Sequence, residues 1–300
     1  NYSGITSISG NVYAVVDDKS PNDGFYLFDI DIDSVSGNIK SVVQNDFRGN
    51  SNPNRDSEGI VYVPGSNTLF VSGEADMKIL EYNLDGTLTG RSLVLPEVFK
   101  HPSDNYGFES LAYNRNTHLY WTTTESTLLA DGIQATSTNG VQNMLRLQSF
   151  GEDLKPLKQY AYLMDAPTAS SSASNYAMGV SEMTALDDGR LIVLEREFFV
   201  PPSKLGAYVN CKFYVINPVD GTPISDTDSL SMASPFLKKT ELYENKTSLS
   251  LFSYHIANYE GMCLGPKLKD GSQTLLLVSD SQNQYKGVLK DWLKVLIIKM

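Results

Sequence analysis

The stretch RDSEGIVYVPGSNTLFVSGE, Arg55 to Glu74, decides how this chain folds. An acidic turn, Asp56-Ser57-Glu58-Gly59, leads into the apolar run Ile60-Val61-Tyr62-Val63. Pro64-Gly65-Ser66-Asn67 then supplies hairpin-turn chemistry, and Thr68-Leu69-Phe70-Val71-Ser72 returns to a second acidic step, Gly73-Glu74. Antiparallel strands joined this way bring the start of the first strand and the end of the second to the same side. Glu58 and Glu74 are therefore expected to be neighbours.

The same unit recurs. Gly107-Phe108-Glu109-Ser110-Leu111-Ala112-Tyr113 and His118-Leu119-Tyr120-Trp121-Thr122-Thr123-Thr124-Glu125 repeat it, with Glu109 to Glu125 matching the interval from Glu58 to Glu74. A third copy is Gly179-Val180-Ser181-Glu182-Met183, an Asp188-Gly189 turn, and Leu191-Ile192-Val193-Leu194-Glu195-Arg196. A fourth runs from Asn258-Tyr259-Glu260-Gly261-Met262 through a longer turn at Lys269-Asp270-Gly271 to Leu277-Val278-Ser279-Asp280. The opening, Tyr2-Ser3-Gly4-Ile5 with Val12-Tyr13-Ala14-Val15-Val16-Asp17-Asp18, makes five.

Two further strand-like runs follow each hairpin, for example Phe25 to Ile30 with Ile39 to Val43, and Lys78 to Asn83 with Arg91 to Leu95. Unit starts lie 51 (Glu58 to Glu109), 55 (Ser3 to Glu58), 72 (Glu109 to Ser181) and 79 (Ser181 to Glu260) residues apart. Periodic four-stranded units of about 40 to 50 residues plus insertions indicate an all-β fold, a β-propeller of antiparallel blades. Five repeats are expected, with six blades as the alternative, in one domain spanning 1–300. The long intervals are taken up by loops at Ala130 to Gly140, Ala166 to Asn175 and Ser225 to Pro235, the last able to hide part of a further blade. The final unit stops at its third strand, Trp292 to Ile298, so a strand preceding Asn1 is expected to close the ring.

Composition narrows the partners. A net charge of -11 argues against nucleic acid, which needs a basic face, and favours cations or small ligands. No run is long and apolar enough to insert in a membrane. The chain starts at Asn1 inside a strand unit, which points to a removed leader and an exported, periplasmic or extracellular, monomeric protein. Cys211 and Cys263 sit in strand-like surroundings and read as buried free thiols. Asp29, Asp31 and Asp33 alternate on a strand and share one solvated face.

In a propeller the innermost strands line the channel, so Glu58, Glu109 and Glu260, with Ser3 and Ser181 as equivalents, are expected to ring one mouth. Asp17 or Asp18, Glu74, Glu125, Glu195 and Asp280 end the adjacent strands and form a partner ring. Two carboxylates about 6 Å apart repel by roughly 3 kcal/mol at an effective dielectric near 20. A hard cation such as Ca2+, raised pKa values, or pairing with Arg55, Arg196 and Lys78 would offset this. The Glu-Gly step also has a purely structural reading, in which Glu accepts backbone N–H groups and Gly lets strands approach. No G-x-S-x-G elbow is present, and His101, His118 and His255 lack zinc spacing, His255 reading as a loop residue.

The succession Asp56-Ser57-Glu58-Gly59-Ile60, Gly107-Phe108-Glu109-Ser110-Leu111, Val193-Leu194-Glu195-Arg196, Asn258-Tyr259-Glu260-Gly261-Met262 and Leu277-Val278-Ser279-Asp280 resembles the bacterial phytase-like propeller family labelled "esterase-like activity of phytase". The resemblance runs from Tyr2 to Asp280 and departs from the pattern at Ser110 and at Ser181-Glu182. It implies an exported propeller with calcium dependence and esterase or phosphoesterase activity on a small molecule. The expected mechanism has Glu58, Glu109 and Glu260 at the catalytic centre holding Ca2+, with Glu74, Glu125, Glu195, Asp18 and Asp280 as further metal ligands and Arg196 and Arg55 orienting an anionic substrate. A non-catalytic binding propeller with a structural cation and a metal-dependent lactonase-like hydrolase are the alternatives.

Overall fold

The structure is a computed structural model that describes residues 1–300 apart from 101, 103–105, 251–255, 284 and 300. Five antiparallel sheets follow one another along the chain. Blade 1 is β1 (Tyr2–Ser9), β2 (Val12–Asp17), β3 (Asn22–Ile32) and β4 (Ile39–Pro53). Blade 2 is β5 (Ser57–Val63), β6 (Thr68–Gly73), β7 (Lys78–Asn83) and β8 (Leu88–Ser92). Blade 3 is β9 (Phe108–Asn114), β10 (Leu119–Thr124), β11 (Met144–Phe150) and β12 (Pro156–Leu163). Blade 4 is β13 (Asn175–Ala185), β14 (Leu191–Val200), β15 (Tyr208–Ile216) and β16 (Lys239–Ser248). Blade 5 contributes three strands, β17 (Asn258–Lys267), β18 (Gln273–Asp280) and β19 (Leu293–Ile298). The fold is a five-bladed β-propeller.

The hairpin expected from Arg55 to Glu74 is β5–β6, paired Ile60 to Val71 and Val63 to Thr68. Its turn closes on Asn67 in the left-handed region (φ 55), a conformation Asn tolerates; the shorter β1–β2 turn opens instead on Gly10, also at φ 55. Innermost strands are buried on both faces, which is why β5 reads as a continuous apolar run rather than an alternation. The outer strands β4 and β16 are largely exposed.

The core is divided among the blade interfaces. Val16, Ile60 and Tyr82 pack between blades 1 and 2, and Val61, Leu111 and Tyr120 between blades 2 and 3. Leu145, Tyr162 and Val193 fill the next interface, Leu194, Phe213 and Met262 the fourth, and Ile5, Phe28 and Leu276 the fifth. The last of these closes the ring by direct packing of β17 on β1: a side chain at Gly261 would come within 2.8 Å of the Ser3 carbonyl oxygen. Blade 5 ends on β19 as its outer strand, one strand fewer than the other four blades.

Residues 217–238 do not form a sixth blade. They lie along the outer edge of blade 3, with isolated bridges from Ile224 to Gln159 and from Phe236 to Ala161. Buried Arg146 fixes them, donating to both Asp131 carboxylate oxygens at 2.6 Å and to the carbonyls of Ser225 and Asp228. Both cysteines are buried free thiols. Asp29, Asp31 and Asp33 alternate with buried Ile30 and Ile32, and the Asp33 carboxylate caps the turn at Val35 and Ser36. His118 is exposed beside Tyr113 and Glu152; His101 and His255 lie outside the described residues.

Candidate functional site

Each innermost hairpin breaks its register at the same level. The slip falls between Tyr2 and Ile5, Ser57 and Ile60, Phe108 and Ser110, Val180 and Glu182, and Tyr259 and Gly261. The bulged residues are Ser3, Glu58, Glu109, Ser181 and Glu260, and a bulge re-aims the side chain it displaces. The glycine after the bulge serves a close approach: a Cβ on Gly4 would stand 2.1 Å from the Glu58 carbonyl oxygen, and one on Gly59 2.7 Å from the Leu111 nitrogen. Blade 4 departs from this. There Glu182 takes the glycine position and its Oε1 accepts the Leu111 N–H at 3.0 Å and the Met183 N–H at 2.8 Å.

The neighbouring strand ends supply a second set at the same mouth. The residues opposite the slips are Asp17, Gly73, Thr124, Glu195 and Ser279, so those one step beyond are Asp18, Glu74, Glu125, Arg196 and Asp280. Four are carboxylates and the fifth is an arginine. Glu195, grouped with them from its spacing, points to the other face of β14, where it accepts from Tyr162 Oη at 2.6 Å and from Lys239 Nζ at 2.5 Å. The blade 4 hairpin is one residue shorter than those of blades 2 and 3. The interval from Ser3 to Asp18, applied at Ser181, leads to Arg196.

Arg196 is buried and ion-paired with Glu125 through one terminal nitrogen and with Glu260 through the other, which also reaches Asn258 Oδ1 at 3.2 Å. Its Nε is buried without a partner among the described residues. Arg55 is buried too, but its guanidinium is engaged elsewhere: it meets both Asp76 oxygens at 2.9 Å, Tyr82 Oη at 2.9 Å and the Lys78 carbonyl at 2.8 Å. It braces the turn behind Gly73 and does not reach the ring. Lys19 extends over the mouth, 2.5 Å from Asp18 and 3.2 Å from Asp56. Asp280 is capped by the Gln282 N–H at 2.9 Å, lies 4.0 Å from the terminal amine, and is near enough for its charge to raise both Asp18 and Glu260.

The remaining carboxylates have no such counter-charge. Glu58 and Glu109 are only 6% and 8% exposed, and neither carboxylate has a hydrogen-bond or ion-pair partner among the described residues. Donor oxygens of Glu58, Glu74 and Glu109 all lie within 4.8 Å of one another, and so do those of Asp18, Asp56 and Glu58. At 4.8 Å two ionised carboxylates repel by about 3.5 kcal/mol at an effective dielectric of 20. The groups respond accordingly: burial, then the charge of Glu260, pushes Glu58 well above the usual carboxylate range, and burial, then Glu58, does the same to Glu109. Burial lifts Glu260 to about 8 against the pull of Arg196, and Asp18 to about 6 against that of Lys19.

An all-oxygen donor set with no His or Cys suits a hard cation. Three acidic groups in one small volume, two of them buried and unpaired, are the arrangement such an ion satisfies. A cavity of about 410 Å³ opens at the opposite mouth, lined by residues including Thr6, Tyr62, Asn114, Thr184 and Gln273. Unsatisfied charge marks the acidic one.

Solved structures share the architecture at low identity. An endo-arabinase from Bacteroides thetaiotaomicron VPI-5482 matches at 11% identity over 97% of this chain and 90% of that chain, with a TM-score of 0.51. A streptogramin B lyase matches at 14% identity over 99% and 93%, with a TM-score of 0.39, and the periplasmic gluconolactonase PpgL of Pseudomonas aeruginosa at 12% identity over 96% and 66%, with a TM-score of 0.36. The first bears on the fold alone, and the other two superpose too loosely to carry an argument. The chain has no significant match among curated proteins. The phytase-like family described as "Esterase-like activity of phytase" matches residues 1–282, and the chain belongs to it.

Proposed function

We propose that this propeller is a divalent-cation-dependent hydrolase of small-molecule esters or phosphoesters, with its centre at the acidic mouth and Ca2+ as the cation. The observation that carries the reading is the pair Glu58 and Glu109, more than nine-tenths buried and without a partner among the described residues. Left ionised and unpaired they destabilise the fold; a cation offsets that cost and gives the cluster a reason to exist. Glu58, Glu74 and Glu109 would hold it. The chemistry such an ion supplies is polarisation of an ester or phosphoryl oxygen and acidification of water.

The protein groups have separate tasks. Glu260, whose carboxyl burial pushes up to about 8 and which accepts from Asn258 Nδ2 at 2.8 Å, can hold a proton at neutral pH and pass it to a leaving oxygen. Arg196 fixes Glu125 and Glu260 and keeps one N–H to offer. Arg55 supports the turn that aims Glu58.

One observation favours a neutral carboxylic ester, including a lactone, over a phosphomonoester as the second reading. Lys19, Arg196 and Arg55, the cationic side chains described near the ring, are each already paired with carboxylates. A phosphate would then depend on bound metal for its counter-charge.

The test is Ca2+ calorimetry on chelator-treated protein, with Glu58→Gln and Glu109→Gln, alongside hydrolysis of p-nitrophenyl phosphate and p-nitrophenyl acetate. Loss in both variants of binding at the Glu58–Glu74–Glu109 set, with Ca2+-dependent turnover of either ester, is the expected result. Binding without turnover leaves a ligand-binding propeller with a structural cation, and no binding removes the calcium reading.

A further inference from the structure

Glu58 belongs to two donor sets at once, Glu58–Glu74–Glu109 and Asp18–Asp56–Glu58. Resting on the calcium reading above, we propose that the mouth holds two cations sharing Glu58, and that Lys19 is a built-in plug competing for the second position.

The two sets differ in what already neutralises them. Around Glu74 and Glu109 the contact given by the protein is one backbone N–H, from Gly107 to Glu74 Oε1 at 2.8 Å. No described ammonium or guanidinium is paired with those two carboxylates. Around Asp18 and Asp56 the Lys19 ammonium sits 2.5 Å and 3.2 Å from the two carboxylates, where a cation bridging them would be. One ammonium is an incomplete substitute: Asp18 Oδ1 stays buried without a hydrogen-bond partner, although Asp18 is only 8% exposed. Together with the unpartnered Glu58 it is acceptor capacity aimed at a second ion.

Backbone and side-chain freedom fit a plug. Asp56 holds φ 55, an uncommon conformation for a residue other than glycine, and this turn carries its carboxylate toward Asp18 and Glu58. Lys19 is nearly half exposed, so its long side chain can swing into water and release both carboxylates at little cost. The Asp17 carboxylate accepts the Lys19 backbone N–H at 2.9 Å, which keeps the main chain in place while the ammonium moves. The first cation therefore enters a site with no directly paired ammonium or guanidinium, Lys19 and Arg196 acting on Glu74 only at a distance, and the second must displace a contact ion pair. Affinities separate into a tight step and a weak step.

Calorimetric titration of chelator-treated full chain with CaCl2 reads both steps. Wild type is expected to take up two ions with resolved affinities. Lys19→Met should tighten the second step at least roughly tenfold, the effect of removing a competing charge a few ångströms away, and leave the first within about threefold. Asp56→Asn, which keeps a side chain tolerant of the left-handed turn, should reduce the stoichiometry to one, and Glu58→Gln should remove both steps. A thermal-shift series against CaCl2 on the same variants shows that each is folded and repeats the order without calorimetry. One ion bound in wild type and Lys19→Met alike, or an Asp56→Asn titration identical to wild type, overturns the two-cation proposal while the single-cation reading stands. No uptake by wild type overturns both.

Discussion

From blade 1 to Glu109, the mouth of the channel presents Asp18, Asp56, Glu58, Glu74 and Glu109 with the exposed Lys19 as their counter-charge; from Glu125 round to blade 5, Arg196 is buried between Glu125, Glu260 and Asn258. The two arcs come from the same repeat at the same depth. They differ because blade 4 places an arginine where the four other blades place an acid at this mouth. The second arc is neutralised from within and the first depends on protons or an added cation. A structural arc and a ligand-ready arc can thus arise from one motif by a single change of residue type.

The largest effect expected from this contrast comes from removing its cation. Arg196→Met takes the buried counter-charge from Glu125 and Glu260, which must then stay buried unpaired or take up protons, and should cost about 3–5 kcal/mol in chemical denaturation at pH 8. A loss below about 1 kcal/mol would mean the second arc is not held by ion pairing. Glu58→Gln in the first arc should act in the opposite direction. With chelator present it removes a repelling charge and should stabilise the fold by roughly 1–3 kcal/mol, while Ca2+ binding is lost. Destabilisation instead would show Glu58 to be a structural acceptor.

The pH response sharpens the same distinction. Folding raises the pKa of Glu260 to about 8 and of Asp18 to about 6, burial being the main cause in both, so the folded protein keeps protons that the unfolded chain has released above about pH 4.3. Their stabilising contribution is complete below the unfolded value and lost as pH rises through about 6 and then about 8. Melting temperature in chelator should therefore fall between about pH 5.5 and 8.5, and saturating Ca2+ should reduce the part of the fall that belongs to Asp18 near pH 6 while leaving the Glu260 part near pH 8, since Asp18 belongs to a donor set and Glu260 does not.

Smaller effects belong to residues outside the two arcs. Arg55→Lys gives up the paired contact with Asp76 and the bond to Tyr82, and should cost roughly 1–2 kcal/mol with little change in Ca2+ affinity. A large loss of affinity would put Arg55 in the site after all. Glu195→Gln should leave Ca2+ affinity within about twofold, since the side chain faces Tyr162 and Lys239 on the other side of β14.

Much of this was readable from the chain alone. The Glu-Gly step, the turn and the returning apolar strand marked the innermost hairpins, and β5 and β6 fall inside Arg55 to Glu74. Glu58, Glu109 and Glu260 were legible because a bulge followed by a small residue repeats with them. Arg196 was missed in its ring position because neighbouring residues on a strand face opposite ways, so one residue of hairpin length exchanges Glu195 for Arg196. Asp56 and Lys19 gave no periodic signal, since each belongs to a turn whose direction depends on the neighbouring blade.

By itself the sequence determined the propeller class, the five repeats, the strands that line the channel and the mouth at which the acids gather, because these follow from local periodicity and turn chemistry that each unit carries within itself; that residues 217–238 edge blade 3 rather than form a sixth blade was decided by the tertiary structure. Tertiary structure decided which acids are paired and which are left for a cation. Charge compensation at the mouth involves side chains from different blades, as with Glu125, Arg196 and Glu260, and those distances exist only after the ring has closed.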